Sequence, residues 1–360
     1  MAKILMKGNE AIGEAAIRAG CLNYFGYPIT PQSEIAEYLS RRMPEVNGMF
    51  LQAESEVAAS YMIFGAAAAG ARVFTTSSSP GISLMSEGIS YVAAAQCPAV
   101  YVNIMRGGPG LGGILPSQGD YFQATKGGGH GDYHLLVMAP NSVQESVEMV
   151  MKAFPLAEKY RNPVIILGDG LIGQMMEPVE FPDHLVSEPT NKDAWATNGM
   201  ATRNSDKRNL IRSLFLVGNS LEDNNRCLKA KYDQMKKDEI MYATYNTETD
   251  YEALIVSYGT MSRVCRTAIE LLKKEGIEVG MIRPQTLFPY PDDAVQKAAW
   301  KPSCKVVTSM ELSMGQMVED VERVVHGKRP VTWFGVAGGI VPAPEEIVDE
   351  MKRVLKTHKA

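Results

Sequence analysis

The sequence lacks the cysteine and histidine patterns that hold metal ions. Its five cysteines lie far apart and form no Cys-x-x-Cys pair: Cys21, Cys97, Cys227, Cys265 and Cys304. This spacing excludes a self-contained iron–sulfur or zinc-finger framework, so we expect buried, reduced thiols. His130 and His134 are four residues apart, but they lie in a glycine-rich loop and not on a helix face. We therefore predict no metal site built by this chain alone.

Long runs of one residue class are also missing. The net charge is −5 and there is no long basic run, so nothing favours nucleic acid or an anionic membrane surface as a partner. No uncharged apolar run approaches the length of a membrane span, and residues 1–7 lack the apolar core of a signal peptide. We expect a cytoplasmic protein, and 360 residues favour two domains.

Strand and helix signals alternate along the first half of the chain. Strands are predicted at residues 22–27, 71–76, 99–104, 135–138 and 163–167. Helices are predicted at residues 10–19, 32–43, 54–70, 82–95 and 142–160, the first with Asn9 as N-cap and Gly20 as its stop. This alternation predicts an α/β fold, in which a parallel sheet carries helices on both faces.

The pattern changes near residue 178 and resumes near residue 251. The polar stretch between them has one helical run, at residues 221–241, and we interpret it as a connector with a surface helix. Beyond it, strands are predicted at residues 253–257, 279–282, 304–308 and 331–334, and helices at residues 261–275 and 346–357. The predicted organisation is a domain over residues 1–178, a connector over 179–250 and a smaller α/β domain over 251–360.

Two features near the start of the chain point to chemistry. The turn Pro28-Ile29-Thr30-Pro31 follows a strand and presents one hydroxyl. Glu54 and Glu56 then begin a helix rich in small residues, where both could be solvent-exposed acids favoured by the helix dipole. Residues two apart point in different directions, however, so Glu56 can be buried against a neighbouring subunit or domain. A buried Glu56 could share a proton with a ring nitrogen of a cofactor.

Other candidate residues follow the predicted strands, where parallel sheets bind ligands. Arg106 ends an apolar strand and begins a glycine loop. It could bridge a surface carboxylate or clamp the carboxylate of a substrate, and its position favours neither.

The segment Gly168-Asp169-Gly170, with Asn198 further along, mimics the magnesium–diphosphate motif of thiamine diphosphate enzymes. Here the segment runs into Pro178 and the connector, which leaves Asn198 outside any predicted α/β unit. We therefore do not interpret it as a magnesium site. The glycine loop at residues 107–113 lacks the Lys and Ser/Thr of a P-loop.

Five segments together carry a resemblance that runs almost from end to end of the chain. They are residues 27–33, 52–56, 75–85, 106–109 and 310–316. In this order they resemble the α subunit of 2-oxoacid:ferredoxin oxidoreductases, and most of all the short α subunits of branched-chain (2-oxoisovalerate) enzymes. The resemblance implies a pyrimidine-binding domain of a thiamine diphosphate (TPP) enzyme, followed by a transketolase C-terminal-like domain.

The resemblance also implies roles for individual residues. Glu56 matches the glutamate that hydrogen-bonds the aminopyrimidine N1′, and Thr30 matches a threonine near the substrate and the thiazolium ring. Arg106 matches the arginine that holds the substrate carboxylate, while Glu54 receives no role. Further cofactor-binding residues are implied at Pro28, Ile29, Ser79 and Pro80.

The implied reaction is oxidative decarboxylation of a 2-oxo acid to acyl-coenzyme A and CO₂, with reduction of ferredoxin, as in anaerobic metabolism. The implied partners are a β subunit that binds the TPP diphosphate and Mg²⁺, a γ subunit and a ferredoxin-like iron–sulfur subunit, arranged as a dimer of heteromers. This chain alone would be inactive, and the acyl group is left open. Two alternatives also stay open: the pyrimidine half of another TPP assembly, and a non-catalytic α/β scaffold or binding subunit in which Glu56 is a helix cap.

Overall fold

Two largely parallel sheets with helices on their faces form the molecule, which confirms the predicted α/β class. The computed structural model describes residues 3–200 and 206–358. Residues 201–205 of the predicted connector, and residues 1–2 and 359–360 of the two predicted domains, lie outside the described residues.

The first sheet has seven strands. In spatial order they are β12 Thr286–Phe288, β6 Leu136–Met138, β7 Pro163–Asp169, β5 Ala99–Met105, β4 Phe74–Ser77, β2 Asn23–Gly26 and β3 Met49–Gln52. Neighbouring strands are parallel except β12, which runs antiparallel to β6. Every residue of β5 and β7 is buried, as their largely apolar sequences predict for strands covered on both faces.

Helices cover both faces of this sheet. They are α1 Gly8–Arg18, α2 Ser33–Glu45, α3 Glu56–Ala68, α4 Ser79–Ala94, α5 Tyr121–Thr125, α6 Val143–Tyr160 and α7 Gly170–Gln174. One apolar cluster packs α1, α2 and α6 against one face, and a second packs α3 and α4 against the other. A short antiparallel pair, β1 Ile4–Lys7 with β8 Met176–Val179, brackets the domain, and a 3₁₀ turn follows at Asp183–Leu185.

Several helix starts differ from the sequence prediction by one to three residues, and two of them bear on the candidate site. Helix α1 begins at Gly8, so Asn9 as N-cap is wrong. Asn9 is instead a buried residue of the first turn, and its amide donates to Pro31 O at 2.8 Å and to Glu34 Oε2 at 2.9 Å. Helix α4 begins at Ser79 and not at residue 82, so Ser79 and Pro80 belong to a helical turn and not to a loop.

A buried ion-pair network connects the segment that follows β8 to the first sheet and its helices. The guanidinium of Arg72 donates to both carboxylate oxygens of Glu158 at 2.9 Å, and Lys192 Nζ lies 2.8 Å from Glu158 Oε1. Burial opposes the ionisation of Glu158, but Arg72 and Lys192 outweigh it and lower its pKa to about 2. Helix α8, Gly218–Asp238, is the predicted surface helix of this segment.

The second sheet has five strands. In spatial order they are β14 Val331–Gly335, β13 Val306–Glu311, β10 Ala253–Ser257, β11 Val279–Pro284 and β9 Tyr242–Tyr245. All neighbours are parallel except β9, which runs antiparallel to β11. Its helices are α9 Gly259–Lys274, α10 Asp292–Ala299, α11 Met317–Val325 and α12 Pro344–Thr357.

Two strands belong to a sheet outside the predicted segment in which they lie. Strand β9 falls within the predicted connector but belongs to the second sheet, and β12 falls within the predicted second domain but completes the first sheet. The division at residues 178 and 250 stays a prediction.

Four cysteines are buried, but Cys227 on α8 is exposed, so the expectation of buried thiols is wrong at that position. Among the described residues, no helix combines the length and the apolar character needed to cross a bilayer.

Candidate active site

The candidate residues gather where four adjacent strands of the first sheet end. The turn at residues 27–32 follows β2, helix α4 follows β4, Arg106 follows β5, and Asp169 ends β7. Parallel strands present their carboxyl ends at one edge, so these segments surround one crevice, as the strand-end rule predicts.

Glu56 is the first residue of α3 and is buried, with 6% of its surface exposed. The helix is capped by Ser55, whose side chain accepts a hydrogen bond from Ala58 N at 3.2 Å, so Glu56 is not the cap. Glu54 lies before the helix and is exposed. Of the two acids, Glu56 is therefore the one withdrawn from water.

The carboxylate of Glu56 has no hydrogen-bond partner among residues 3–200 and 206–358. It lies against the first turn of α4, where Oε1 is 2.8 Å from the position that a Cβ on Gly81 would occupy. The residue as a whole is buried, but its carboxylate oxygens are not among the fully enclosed polar atoms, so they remain accessible to a group that the described residues do not supply.

Arg106 is buried and faces the turn after β2. Its Nη1 donates to Thr30 O at 2.8 Å, its Nη2 donates to Leu111 O at 3.1 Å, and its buried Nε has no partner among the described residues. The structure therefore brings Arg106 and Thr30 together. A bridge from Arg106 to a surface carboxylate, one of the two possibilities left by the sequence, is absent from the described residues.

The turn at residues 27–31 is fixed by hydrogen bonds from residues that the sequence alone did not indicate. Buried Thr76 of β4 donates to Gln32 Oε1 at 2.5 Å, and Gln32 Nε2 donates to Tyr27 O at 3.2 Å. Within the turn, Thr30 and Pro28 are exposed and Ile29 is half-buried. The turn is thus fixed while its upper surface remains accessible.

Ser79 connects the first turn of α4 to Arg106 and to another missed residue, Asp120. Ser79 Oγ accepts from Arg106 N at 3.0 Å and donates to Asp120 Oδ2 at 2.6 Å, and Asn103 Nδ2 donates to the same oxygen at 2.8 Å. Burial raises the pKa of Asp120. Since Ser79 contacts Arg106 and Gly81 contacts Glu56, the first turn of α4 lies between those two predicted site residues.

A cavity of about 440 Å³ opens beside this turn. Its walls come from both halves of the molecule: Ser79, Pro80, Asp120 and the glycine loop on one side, and Ser313, Met314, Gln316 and Gly338 on the other. The loop before α11 is fixed by Gln316, whose Nε2 donates to Gly119 O at 2.7 Å and whose Oε1 accepts from Phe122 N at 2.8 Å.

Asp169, of the segment that mimics a magnesium motif, is used within the chain. Its Oδ1 accepts from Leu171 N at 3.0 Å and Ile172 N at 3.2 Å, so it caps α7. Burial raises the pKa of this carboxyl group, which is 1% exposed. Within the described part of the chain, no group of three or more His, Cys, Asp or Glu side chains is placed to hold a metal ion.

Comparison with known families agrees with this geometry. Residues 14–243 match the family described as pyruvate flavodoxin/ferredoxin oxidoreductase, thiamine diphosphate-binding, and residues 251–347 match pyruvate:ferredoxin oxidoreductase core domain II. The crevice at the strand ends lies within the first match.

Curated relatives share the whole length of the chain. The ketoisovalerate oxidoreductase subunit VorB of Methanothermobacter thermautotrophicus is 48% identical, with 98% of each chain covered. The 2-oxoglutarate synthase subunit KorA of Archaeoglobus fulgidus is 36% identical, with 96% of this chain and 97% of that one covered.

Solved structures show the same architecture. The 2-oxoglutarate:ferredoxin oxidoreductase of Magnetococcus marinus, determined with 2-oxoglutarate, coenzyme A and succinyl-CoA bound, superposes with a TM-score of 0.85 at 26% identity. The match covers 98% of this chain and 65% of that one. A split-gene transketolase with a TM-score of 0.58 and 14% identity, covering 98% of this chain and 99% of that one, shares the fold alone.

The fold and the strand-end crevice define a subunit of an oxidoreductase that acts on 2-oxo acids. The chain belongs to the 2-oxoacid:ferredoxin oxidoreductase family, in which it is an α-type subunit, and this confirms the resemblance seen in the sequence.

Proposed function

We propose that this chain supplies the pyrimidine side of a TPP site in a multi-subunit enzyme that converts a branched-chain 2-oxo acid to acyl-coenzyme A and CO₂ and reduces ferredoxin. The observation that carries the proposal is Glu56, a buried residue whose carboxylate is unpartnered among the described residues. A carboxyl group on a largely buried side chain, with no partner among the described residues, can hydrogen-bond a ring nitrogen of a cofactor.

The residues around Glu56 fit the aminopyrimidine end of the cofactor. Thiamine diphosphate, when bound, supplies the electron sink that decarboxylation of a 2-oxo acid needs. Glu56 would exchange a proton with N1′ of the ring and hold its orientation. Pro28, Ile29, Ser79 and Pro80 would form the walls, since they line the turn after β2 and the first turn of α4.

Thr30 and Arg106 would position the substrate. The Nε of Arg106 has no partner among the described residues, and the adjacent Nη2 donates only to the carbonyl of Leu111, a residue 84% exposed in the glycine loop. A substrate carboxylate that displaces this carbonyl gains two parallel N–H donors. Arg106 would stay attached to the turn through Nη1, which keeps the Thr30 hydroxyl beside the bound acid.

The rest of the catalytic machinery would come from partners in the cytoplasm. We assign the diphosphate and Mg²⁺ to a β subunit, because Asp169 already serves as a helix cap in this chain. The iron–sulfur clusters would lie on a ferredoxin-like subunit, with a γ subunit completing a dimer of heteromers. Residues 1–178 would be the pyrimidine-binding domain and residues 251–360 the transketolase C-terminal-like domain.

The branched-chain substrate is favoured by the degree of similarity to the two kinds of relative. Identity is 48% to the ketoisovalerate oxidoreductase subunit and 36% to the 2-oxoglutarate synthase subunit of similar length. A panel of 2-oxo acids, assayed with coenzyme A and a viologen dye on the purified complex, tests this choice.

Replacing Glu56 tests the proposed function. We expect Glu56→Ala in the assembled complex to lower kcat by about 10²–10⁴-fold, the usual contribution of a positioned acid or base. The matched control is Glu54→Ala, which removes an exposed glutamate two residues away and should leave the rate unchanged. Size-exclusion chromatography should show the same assembly for both variants. Normal turnover by Glu56→Ala would instead favour a scaffold subunit.

A further inference from the structure

A second buried polar group lies beside Glu56. Ser77 ends β4 and is fully buried, and its Oγ has no hydrogen-bond partner among the described residues. This Oγ and Glu56 Oε1 converge on one point, the position that a Cβ on Gly81 would occupy. Glu56 Oε1 is 2.8 Å from that position, and Ser77 Oγ is nearer to it. The distance between the two oxygens is therefore less than twice 2.8 Å.

Gly81 makes this approach possible. Any other residue at this position would place a side-chain carbon against the Ser77 hydroxyl and within 3.0 Å of Glu56 Cγ. Because a glycine stands here, α4 packs across the carboxylate and the hydroxyl remains next to it. A serine on a strand, a glycine on the next helix and a glutamate on a third element thus form one cluster.

We propose that Ser77 is a positioning residue that acts through Glu56. A glutamic acid that shares its proton with a ring nitrogen uses one oxygen for that bond and leaves the other to be held by the protein. In the assembled site the Ser77 hydroxyl, which has no partner among the described residues, would donate to this second oxygen and fix the plane of the carboxyl group. This inference rests on the proposed function, because it assumes that Glu56 meets the cofactor.

Ser78 provides a matched control for Ser77. It is the next residue, it is equally buried, and its Oγ also lacks a partner among the described residues. The three atoms nearest to the Gly81 Cβ position belong to Ser77 and Glu56, and none belongs to Ser78. Removing either hydroxyl deletes the same atom from the same segment, but only the Ser77 hydroxyl is placed next to Glu56 by the Gly81 contact.

The test uses the complete complex loaded with TPP and Mg²⁺, with Ser77→Ala, Ser77→Thr and Ser78→Ala variants. One readout is kcat and KM for the 2-oxo acid. The other is the rate at which the C2 proton of bound TPP exchanges for deuterium, followed by proton NMR after acid quench without substrate. We expect Ser77→Ala to slow kcat and exchange by about tenfold, as loss of one hydrogen bond to a charged group does, with KM unchanged. Ser77→Thr should restore both rates, and Ser78→Ala should match the wild type.

A double variant decides whether Ser77 acts through Glu56. In a Glu56→Gln background, Ser77→Ala should cause no further loss of C2 exchange, because the carboxyl group that it positions is gone. The proposal is overturned if Ser77→Ala behaves like Ser78→Ala, or if it costs the same with and without Glu56. Wild-type exchange in Glu56→Gln alone would overturn the proposed function itself, which separates the two failures.

Discussion

Individual buried glutamates of this chain are partnered in different ways. Glu311 is fully buried and accepts five hydrogen bonds, from the hydroxyls of Ser309 and Ser313 and from the backbone N–H groups of residues 316–318. Glu158 is neutralised by two cations. Glu56 has neither kind of partner among the described residues, and that contrast supports the role proposed for it, whereas the other two are held in structural contacts.

Glu158 gives the fold a dependence on acid pH. Its pKa falls from 4.5 to about 2 in the folded state, so its stabilising contribution is complete above the ordinary value and is lost as the pH falls towards 2. We expect Glu158→Gln to lower the free energy of unfolding by about 3–5 kcal/mol, because Arg72 and Lys192 lose their counter-charge. Urea unfolding at several pH values measures this change and should show a flatter acid limb for the variant.

The control for Glu158→Gln is Glu222→Gln, which breaks an exposed ion pair with Arg226 on α8. That change should cost less than about 1 kcal/mol and leave the pH profile intact. Equal losses from the two variants would contradict the structural role assigned to Glu158.

Among the helices and strands, those with strong local patterns were predictable from the sequence. Strands β5, β7 and β10 are mostly apolar and every residue in them is buried, so composition identifies them. Strand β3 was missed because it lies at a sheet edge and three of its four residues are exposed. Strand β12 was missed because it has three residues and pairs with a segment about 150 residues earlier in the chain.

The candidate site was predictable only in part, for a related reason. Glu56, Thr30 and Arg106 lie in short sequence motifs that can be recognised without a structure. Gln32 and Thr76 were missed because their role depends on a hydrogen bond between positions 44 apart in sequence, which only the folded sheet creates. Asp120 is likewise defined by its bonds to Ser79 and Asn103.

Helix α8 is held by a narrow apolar stripe on an otherwise charged surface. Its buried residues, Leu228, Tyr232 and Met235, follow helical spacing, while most others are exposed. We expect Leu228→Ala to lower the free energy of unfolding by about 2–5 kcal/mol, as truncation of a buried leucine does. Leu221→Ala, at a position 43% exposed on the same helix, should change it far less. Thermal denaturation of both variants measures the difference, and equal effects would contradict the packing of α8.

Across the whole molecule, the two sheets share one interior. A single apolar cluster contains Tyr121 from the first half and Tyr258 and Leu287 from the second. Arg283 donates two hydrogen bonds of 2.7 Å to Glu145, and Gln118 Nε2 donates to Tyr258 O at 2.8 Å. The two halves are therefore joined by more than a linker.

We expect one cooperative unfolding transition for the isolated chain in differential scanning calorimetry. Arg283→Ala should lower the free energy of unfolding by about 2 kcal/mol, because it removes hydrogen bonds to the half-buried carboxylate of Glu145. Arg226→Ala, which removes an exposed pair with Glu222, is the control and should have little effect. Two separate transitions in the wild type would show that the sheets unfold independently.

The position of β12 has a consequence for synthesis on the ribosome. The chain reaches residue 169 with six strands of the first sheet made, but the edge of β6 stays uncovered until Thr286–Phe288 has left the exit tunnel. Translation of more than a hundred residues separates these two moments. During that interval the nascent protein carries an open strand edge, which is the feature that chaperones shield and that promotes association between unfinished chains.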